Sequence, residues 1–515
     1  MIFVWLSAAF LLALGAALVL TPLVARSAGA LKLVDSPDGG RRLHDRPVPR
    51  LGGVAVFLGA ALAGIVVLIA AQGIFFPTGL HSGDMRFLAG VSLGAALLFF
   101  VGLIDDVRGL SAGTKFVTQV AAALIAFSAG AHFDSVTLGY GEGVATGVLA
   151  FPLVLLWIVG ATNAFNFVDG LNGLASGIGA VAALTTVAVA AKLGNLAILI
   201  PAVALAGALL GFLRYNFPRA SIFLGDSGSL SVGFLVAVFL LRASTTKAGS
   251  VLAVVPLLGL SVPLLDGTLA ILRRWLRHVP LAGADARHIH HRLLALGLTP
   301  ARTVHLLWML AGVMAGFGLL IALTAPFVAA SIAIFGLLCV CVLLIYGTNL
   351  LSYHELIVAG EVLLSAPSRA RRVISDQILA VDLASLIQSA KSVDEISGIL
   401  GNSSGQFGFL AMDLSADGFD PEPGGGRIMA QNWGWRLDYP IRQNESDLMY
   451  GVLSIWCSQE HSARPYGAER AARVLGPALL AWFEAGIAET AEGPRAGTSL
   501  KKTPSRYSPS LRLFR

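Results

Sequence analysis

Long apolar runs constrain this chain before any other feature does. A helix needs roughly 20 mainly apolar residues to cross the hydrocarbon core of a bilayer. About eleven such runs can be read along the first two thirds of the sequence, near residues 2–25, 53–73, 87–104, 116–133, 145–161, 173–191, 195–213, 229–243, 250–272, 303–324 and 327–347. A mean hydropathy of +0.77 and a charged share of 13% lie outside the makeup of a water-soluble globular protein. The predicted fold class is therefore an all-α polytopic membrane bundle of about 11 transmembrane helices.

The charges between the runs orient that bundle. With the N-terminus outside, the loops on the cytoplasmic side hold roughly sixteen Lys and Arg against about four on the other side. The first run opens "MIFVW" without a basic region and is too long for a signal-peptide core, so a retained anchor is expected. The three cysteines, Cys339, Cys341 and Cys457, lack disulfide or metal-ligand spacing and read as packing residues.

From about Gly347 long apolar runs stop and charge returns. The expected division is a transmembrane domain at 1–347, a small cytoplasmic α/β domain at 348–490 and a disordered basic tail at 491–515. In the second part "SVDE", Ser392 to Glu395, reads as a capping box. The runs "FGFLAMDLS", "NWGWRLDYPIR" and "MYGVLSIWCS" read as strands, and about Gly467 to Ala488 as a closing helix. No catalytic cluster is visible there, and an interaction or stabilising module is the simpler reading.

The unusual polar stretches all fall on one side of the bundle. They are "DSPDGGRRLHDRPVPRLGG" (35–53), "DDVRGLSAGTK" (105–115), "NAFNFVDGLNGL" (163–174), "FLGDSGSL" (223–230) and "DARHIHHRL" (285–293). Five such loops on one face predict a composite site at the membrane surface. In "GDSGS", Ser227 or Ser229 could cap the following helix. Alternatively Gly225 and Gly228 admit close approach, while Asp226 offers a hard oxygen to Mg²⁺ where a helix start attracts phosphate.

Asn163, Asn166, Asp169 and Asn172 recur every third residue. Each step turns by about 60° on an α-helix, so the row stays aligned only if the segment tightens or breaks. Gly170 and Gly173 favour a break. His288, His290 and His291 cluster in "RHIHHR"; no cysteine completes a zinc set, and Arg287 and Arg292 point instead to an anionic ligand. Asp266, in "VPLLDGTLAILRR", is an acid in a membrane segment and is expected to support the site from behind.

Taken together, "GLIDDVRGLSAGTK", "NAFNFVDGLNGL", "FLGDSGSL" and "RHIHHRLLALGL" resemble the polyprenyl-phosphate N-acetylhexosamine-1-phosphate transferases of bacterial cell-envelope synthesis, from about residue 30 to 350. The His-Ile-His-His form is similar to the branch that starts O-antigen, enterobacterial common antigen and teichoic-acid linkage synthesis, and less so to the phospho-muramoyl-pentapeptide branch. The resemblance implies a multi-pass enzyme of the bacterial inner membrane with Mg²⁺ or alternatively Mn²⁺ as cofactor. It also implies a UDP-N-acetylhexosamine donor, an undecaprenyl-phosphate acceptor and UMP as leaving product. Membrane lipid and a homodimer are the other partners expected, and nucleic acid is not.

Carried over by motif, Asp226 and Asn166 are the implied Mg²⁺ ligands, and Phe223 and Asn172 hold the uracil. Lys115, His290 and His291, with His288, resemble the groups that meet the diphosphate and lipid phosphate. Asp105 and Asp106 match the essential acid pair. Asp169, Arg287 and, from the N-terminal loop, His44 and Arg50 complete the implied substrate contacts.

A phosphate monoester has a second pKa near 6, so the acceptor is largely a dianion at neutral pH and needs no general base. Direct in-line attack is expected, with the acid pair organising Mg²⁺ and Lys115. Adjacent helix residues point about 100° apart, so Asp105 and Asp106 should serve different partners, with Asp106 the more sensitive to substitution. A secondary transporter is the competing class, but its substrate groups belong near the bilayer midplane; a membrane sensor would leave five chemically dense loops unexplained.

Overall fold

The computed structural model describes residues 2–35, 47–75, 82–137, 143–246, 249–276, 288–324, 328, 331–332, 335–336, 370–415, 433–442, 449–458, 465–490 and 510–513. The chain divides into two compact units, Met1–Leu272 with Ala282–Gly347, and Arg273–Leu281 with Thr348–Arg515.

The first unit is helical. In chain order it contains α1 (Ile2–Ala30), β1 (Val34–Asp35), β2 (Val48–Pro49), α2 (Gly52–Phe75), α3 (Ser82–Arg108), α4 (Ala112–Ser128), β3 (Ser135–Thr137), β4 (Val144–Ala145) and α5 (Ala150–Val168). There follow α6 (Leu174–Leu193), α7 (Leu199–Asn216), α8 (Gly225–Ala243), β5 (Ser250–Leu252), α9 (Val254–Gly259), α10 (Ser261–Leu276, which crosses the unit boundary), α11 (Ile289–Ala295) and α12 (Pro300–Leu323). Among the described residues eight helices are long and apolar enough to cross a membrane, against the eleven expected.

The differences have local causes. The run at 116–133 forms α4, which has 17 residues. The run at 250–272 is not one helix: it begins as β5 and then breaks at Leu260 between α9 and α10. Pro263, third in α10, has no N–H to continue the ladder back into α9. The last run, 327–347, lies almost wholly outside the described residues.

Helices α6, α7 and α8 are buried on nearly all sides, whereas α1, α2, α3 and α12 keep an apolar face outward. Lipid tails are as apolar as the side chains, so close approach of small residues drives packing here. On α1, Ala9, Ala13 and Ala17 are fully buried at helical spacing. Gly207 and Gly211 of α7 lie against the backbone of Phe10 and Leu14. Away from the polar loops, β3 pairs antiparallel with β4 and parallel with β5.

The second unit holds α13 (Ala370–Ser389), α14 (Val393–Phe407), β6 (Ala411–Ser415), β7 (Trp433–Arg442), β8 (Met449–Ser458), α15 (Pro465–Thr490) and β9 (Ser510–Leu513). Ser392 caps α14 by accepting from Glu395 N at 3.2 Å, while Glu395 Oε2 accepts from Lys391 N at 2.8 Å. The sheet runs β6-β8-β7-β9, antiparallel throughout. Alternate residues Met412, Leu414, Leu437, Leu453 and Ile455 join the core with Leu400 and Leu475. Across the strands on the other pleat, Asp438 accepts from Arg436 and from Ser454 Oγ, all three buried. The expected disorder of 491–515 needs correction at one point, because residues 510–513 form β9 on the edge of β7. An alternating Ser-Leu-Arg-Leu can supply ladder hydrogen bonds despite the basic composition around it. Residues 491–509 and 514–515 lie outside the described residues.

Candidate active site

Acids in the last turn of a helix face the negative end of its dipole, so Asp105 and Asp106 of α3 need partners elsewhere. Asp106 finds them at the start of α8. Its Oδ1 accepts from Asp226 N at 2.7 Å and its Oδ2 from Ser227 N at 3.0 Å, so it caps a helix whose own N-cap, Leu224, has no capping side chain. Neither Ser227 nor Ser229 takes that role. Two glycines make the approach achievable. A Cβ on Gly102, one turn before Asp106, would strike the Asp226 and Ser227 backbone. Gly225 has φ +75°, and a Cβ there would meet the Asp106 carboxylate at 2.7 and 2.8 Å and the Arg50 carbonyl.

Asp105 points to a different partner. One oxygen accepts from Leu110 N, and Oδ2 accepts from Lys115 Nζ at 3.1 Å. Ser111 caps α4, accepting from Thr114 N at 3.1 Å, which places Lys115 in the first turn. The same Nζ donates to Asp226 Oδ2 at 2.8 Å. Asp226 Oδ1 accepts from Asn166 Nδ2 at 3.1 Å, and that nitrogen also donates to Ser229 Oγ at 2.7 Å. Three motifs far apart in sequence thus converge on Lys115 and Asp226.

The row Asn163, Asn166, Asp169, Asn172 does not act as one face. Helix α5 ends at Val168, and Gly173 turns with φ +78°. Asn163 pairs with buried Gln119 of α4 through both amides. Asn172 Nδ2 donates to Pro218 O at 3.3 Å. Burial, then the nearby Asp226 and Asp106 carboxylates, push the Asp169 carboxyl well above the usual carboxylate range. Asn216, buried at the end of α7, accepts from Gly173 N at 2.9 Å and Ser176 Oγ at 3.1 Å and donates to Ile222 O at 2.9 Å. It ties the α5–α6 turn to the segment before α8. Sequence reasoning did not single out Asn216, for which an amide closing an apolar span was the available signal, and it named Ser229 only as a cap, whereas its Oγ accepts from Asn166.

The N-terminal loop joins the same end. Phe223 N donates to Pro49 O at 2.8 Å, Gly52 N to Phe223 O at 2.9 Å and Gly53 N to Leu224 O at 2.7 Å. Phe223 and Arg50 are half-buried in this strap. His44 and Arg287 lie outside the described residues.

The histidines sit at the end of α5. A Cβ on Gly170 would meet His290 Nε2 at 2.6 Å, and the His288 ring lies 5.7 Å from that of Phe167. The His290 and His291 rings are 4.3 Å apart. Among the described residues no group of three or more His, Cys, Asp or Glu is arranged to hold a metal. Burial pushes the His290 imidazole down to about 3, with Asp266 pulling the other way and the neighbouring His291 and His288 rings adding to the fall. Unfolding therefore takes up a proton at His290 between its unfolded value of 6.5 and about 3. Stability from keeping this ring neutral is complete above pH 6.5 and is lost as pH falls. His290→Gln should thus lose less thermal stability between pH 6.5 and 5 than wild type, by about 2 kcal/mol. Equal losses in a calorimetric pH series would refute it.

Asp226 and Asn166 can offer oxygen donors side by side, which suits a hard cation. Mg²⁺ is commonly held by one or two carboxylates together with substrate phosphates. Asn166 turns its amide nitrogen to Asp226, and a half-turn of that amide presents oxygen instead. These residues fit Mg²⁺.

Comparison with known proteins gives a consistent picture. Residues 88–244 match the model of the family described as "Glycosyl transferase family 4". The chain is 36% identical over 303 residues to the "Probable undecaprenyl-phosphate N-acetylglucosaminyl 1-phosphate transferase" of Bacillus subtilis, covering 59% of this chain and 81% of that protein. It is 37% identical over 310 residues to the decaprenyl-phosphate N-acetylglucosaminephosphotransferase of Mycolicibacterium smegmatis, covering 53% and 72%. It is 29% identical over 295 residues to the undecaprenyl-phosphate alpha-N-acetylglucosaminyl 1-phosphate transferase of Escherichia coli K12, covering 56% and 76%.

Proposed function

Since this chain belongs to glycosyl transferase family 4, we propose that it transfers N-acetylglucosamine-1-phosphate from UDP-N-acetylglucosamine to undecaprenyl phosphate, releasing UMP. The observation that carries the reading is Lys115 bridging Asp105 and Asp226 while Asp106 holds the start of α8. That is a site built to manage anionic charge at one end of a membrane bundle.

In the reaction an oxygen of the lipid phosphate forms a bond to the donor's β-phosphorus. The bond from that phosphorus to the bridging oxygen breaks, and UMP leaves with the oxygen. Two anions must meet, so charge management supplies most of the catalysis. Lys115 is the cation already in place, and its two carboxylate partners set where its ammonium stands. Asp106 accepts two backbone N–H groups and lies against Gly225, which favours a scaffold role over that of a nucleophile. Asp105 likewise keeps its oxygens on Leu110 N and Lys115. Bound by Asp226 and Asn166 with the substrate phosphates, Mg²⁺ would supply Lewis-acid neutralisation of the diphosphate.

The positive residues concentrate on the loops that build this site, which supports an orientation with the site facing the cytoplasm and the N-terminus outside. The setting is then the bacterial inner membrane, and the step initiates a cell-envelope polysaccharide.

Purified protein with Mg²⁺, undecaprenyl phosphate and a panel of radiolabelled UDP-sugars tests the proposal; no labelled lipid with any donor would sink it. UMP released from UDP-sugar before lipid is added, with a base-labile phosphoenzyme, would overturn direct attack. EDTA is expected to abolish turnover and Mg²⁺ to restore it, and Asp226→Asn to raise the half-saturating Mg²⁺ about tenfold or more. Full activity in EDTA would remove the metal from the scheme.

A further inference from the structure

One buried acid stands outside the machinery described so far. Asp266, in α10, is 2% exposed. Its Oδ2 lies 2.9 Å from His288 Nδ1, and its Oδ1 accepts from Ile289 N at 2.7 Å. Those two groups begin α11: His288 is the N-cap residue, with no capping bond from its own side chain, and Ile289 is the first helical residue. Asp266 therefore reaches across from α10 to supply that cap, although the two positions are 22 and 23 residues apart. The same helix carries His290, His291 and Arg292.

An ionised carboxylate offers acceptors only, and one oxygen already takes the Ile289 N–H. The other selects the His288 form that carries its proton on Nδ1. Nε2 is then the ring nitrogen turned toward any ligand, and a carboxylate behind an imidazole is a recurring way of fixing both tautomer and ring angle. The ring has little freedom left. It stacks parallel to His290, 2° from coplanar in orientation at 5.7 Å, and borders Phe167. His290 Nε2 is buried with no hydrogen-bond partner among the described residues, so the row presents ring nitrogens beside the turn after α5.

We propose that Asp266 is a positioning residue for His288: it fixes the Nδ1–H tautomer and seats the start of α11, so that the histidine row meets the substrate's phosphate groups in one orientation. The phosphate part rests on the transferase reading above; the tautomer part does not.

Asp266→Asn is the discriminating variant. An amide in the same place can still accept from Ile289 N, but its NH₂ then faces Nδ1 and forces the proton to Nε2. In full-length protein labelled with ¹⁵N-histidine and held in lipid nanodiscs, the His288 resonances are identified by their loss in His288→Gln. Wild type should show Nδ1 protonated, and Asp266→Asn should show Nδ1 bare with the proton on Nε2. Asp266→Glu, which keeps the carboxylate, should leave Nδ1 protonated and guards against a variant that fails to accumulate. A bare Nδ1 in wild type, or the same pattern in Asp266→Asn as in wild type, overturns the proposal.

Turnover supplies the second readout. Asp266→Asn and His288→Gln should each lower kcat/KM by about 10–100-fold, and the double variant should be within about twofold of His288→Gln alone. Losses that multiply would mean Asp266 supports the fold without acting through His288, and would also overturn it. Absence of lipid product from wild type would count against the transferase reading, while the ring-nitrogen spectra would still decide the role of Asp266.

Discussion

Asp106→Asn is expected to lower kcat by about 10²–10³-fold, and Asp105→Asn by about tenfold or less. The difference follows from what each carboxylate accepts. Asp106 takes one backbone N–H on each oxygen, so an amide there must turn its NH₂ toward one of those donors. A buried donor left unpaired costs about 1–3 kcal/mol, and here the strain falls on the residue pair that carries Asp226. Gly102 and Gly225 leave no slack, since both already lie against the same backbone or carboxylate. Asp105 is more forgiving. Its amide replacement can keep its oxygen on Lys115 or on Leu110 N, and Lys115 retains Asp226 in either case. The check is single-turnover kinetics of both variants at saturating Mg²⁺ with thermal midpoints measured alongside; equal losses would return the pair to a shared role.

Lys115→Met should be comparably damaging, lowering kcat/KM by about 10²–10³-fold with only a small change in thermal stability. The two ion pairs are partly exposed, with the Lys115 and Asp226 side chains at 25% and 26%. Pairs screened in this way contribute on the order of 1 kcal/mol or less to folding. Their effect on the reaction is larger, because removing the ammonium leaves Asp105 and Asp226 facing an incoming diphosphate and lipid phosphate without it. Lys115→Arg keeps the charge but replaces a compact ammonium on a flexible stem by a planar fork. It should recover activity only in part and should raise KM for the UDP-sugar more than it lowers kcat. A Met variant within a few-fold of wild type would show that the bridge is dispensable. An Arg variant no better than Met would show that geometry, rather than charge, is what Lys115 contributes.

Much of this was legible in the residues. Apolar runs revealed where helices cross, and the eight described spans fall where eight of the runs were read. The polar loops named the chemistry, and the separation of Asp105 from Asp106 by about 100° on a helix anticipated different partners for each. The break in the span near 250–272 was readable in part from Pro256 and Pro263, but apolar composition masked it. The Asn-Asn-Asp-Asn row was expected to stay aligned only if its segment tightened or broke, with Gly170 and Gly173 favouring a break; α5 does stop at Val168, and the row is shared among Gln119, Asp226 and Pro218. Asn216 and Asp266 each carried a local signal, an amide and an acid at apolar spans, but not the identity of their partners, Gly173 and Ser176 for the one and His288 and Ile289 for the other.

The sequence by itself determined that this chain enters a membrane as helices and that its acids, amides, lysine and histidines gather at helix ends. Hydrocarbon tolerates no unsatisfied backbone and few charges, and that constraint acts on each segment separately. Which group meets which was decided only in three dimensions. Lys115 and Asp226 are 111 positions apart, and Asp106 and the amide of Asp226 are 120 apart. Those contacts depend on how deeply glycine-bearing α3 seats against the start of α8, a distance set by packing between helices that no single stretch of sequence encodes.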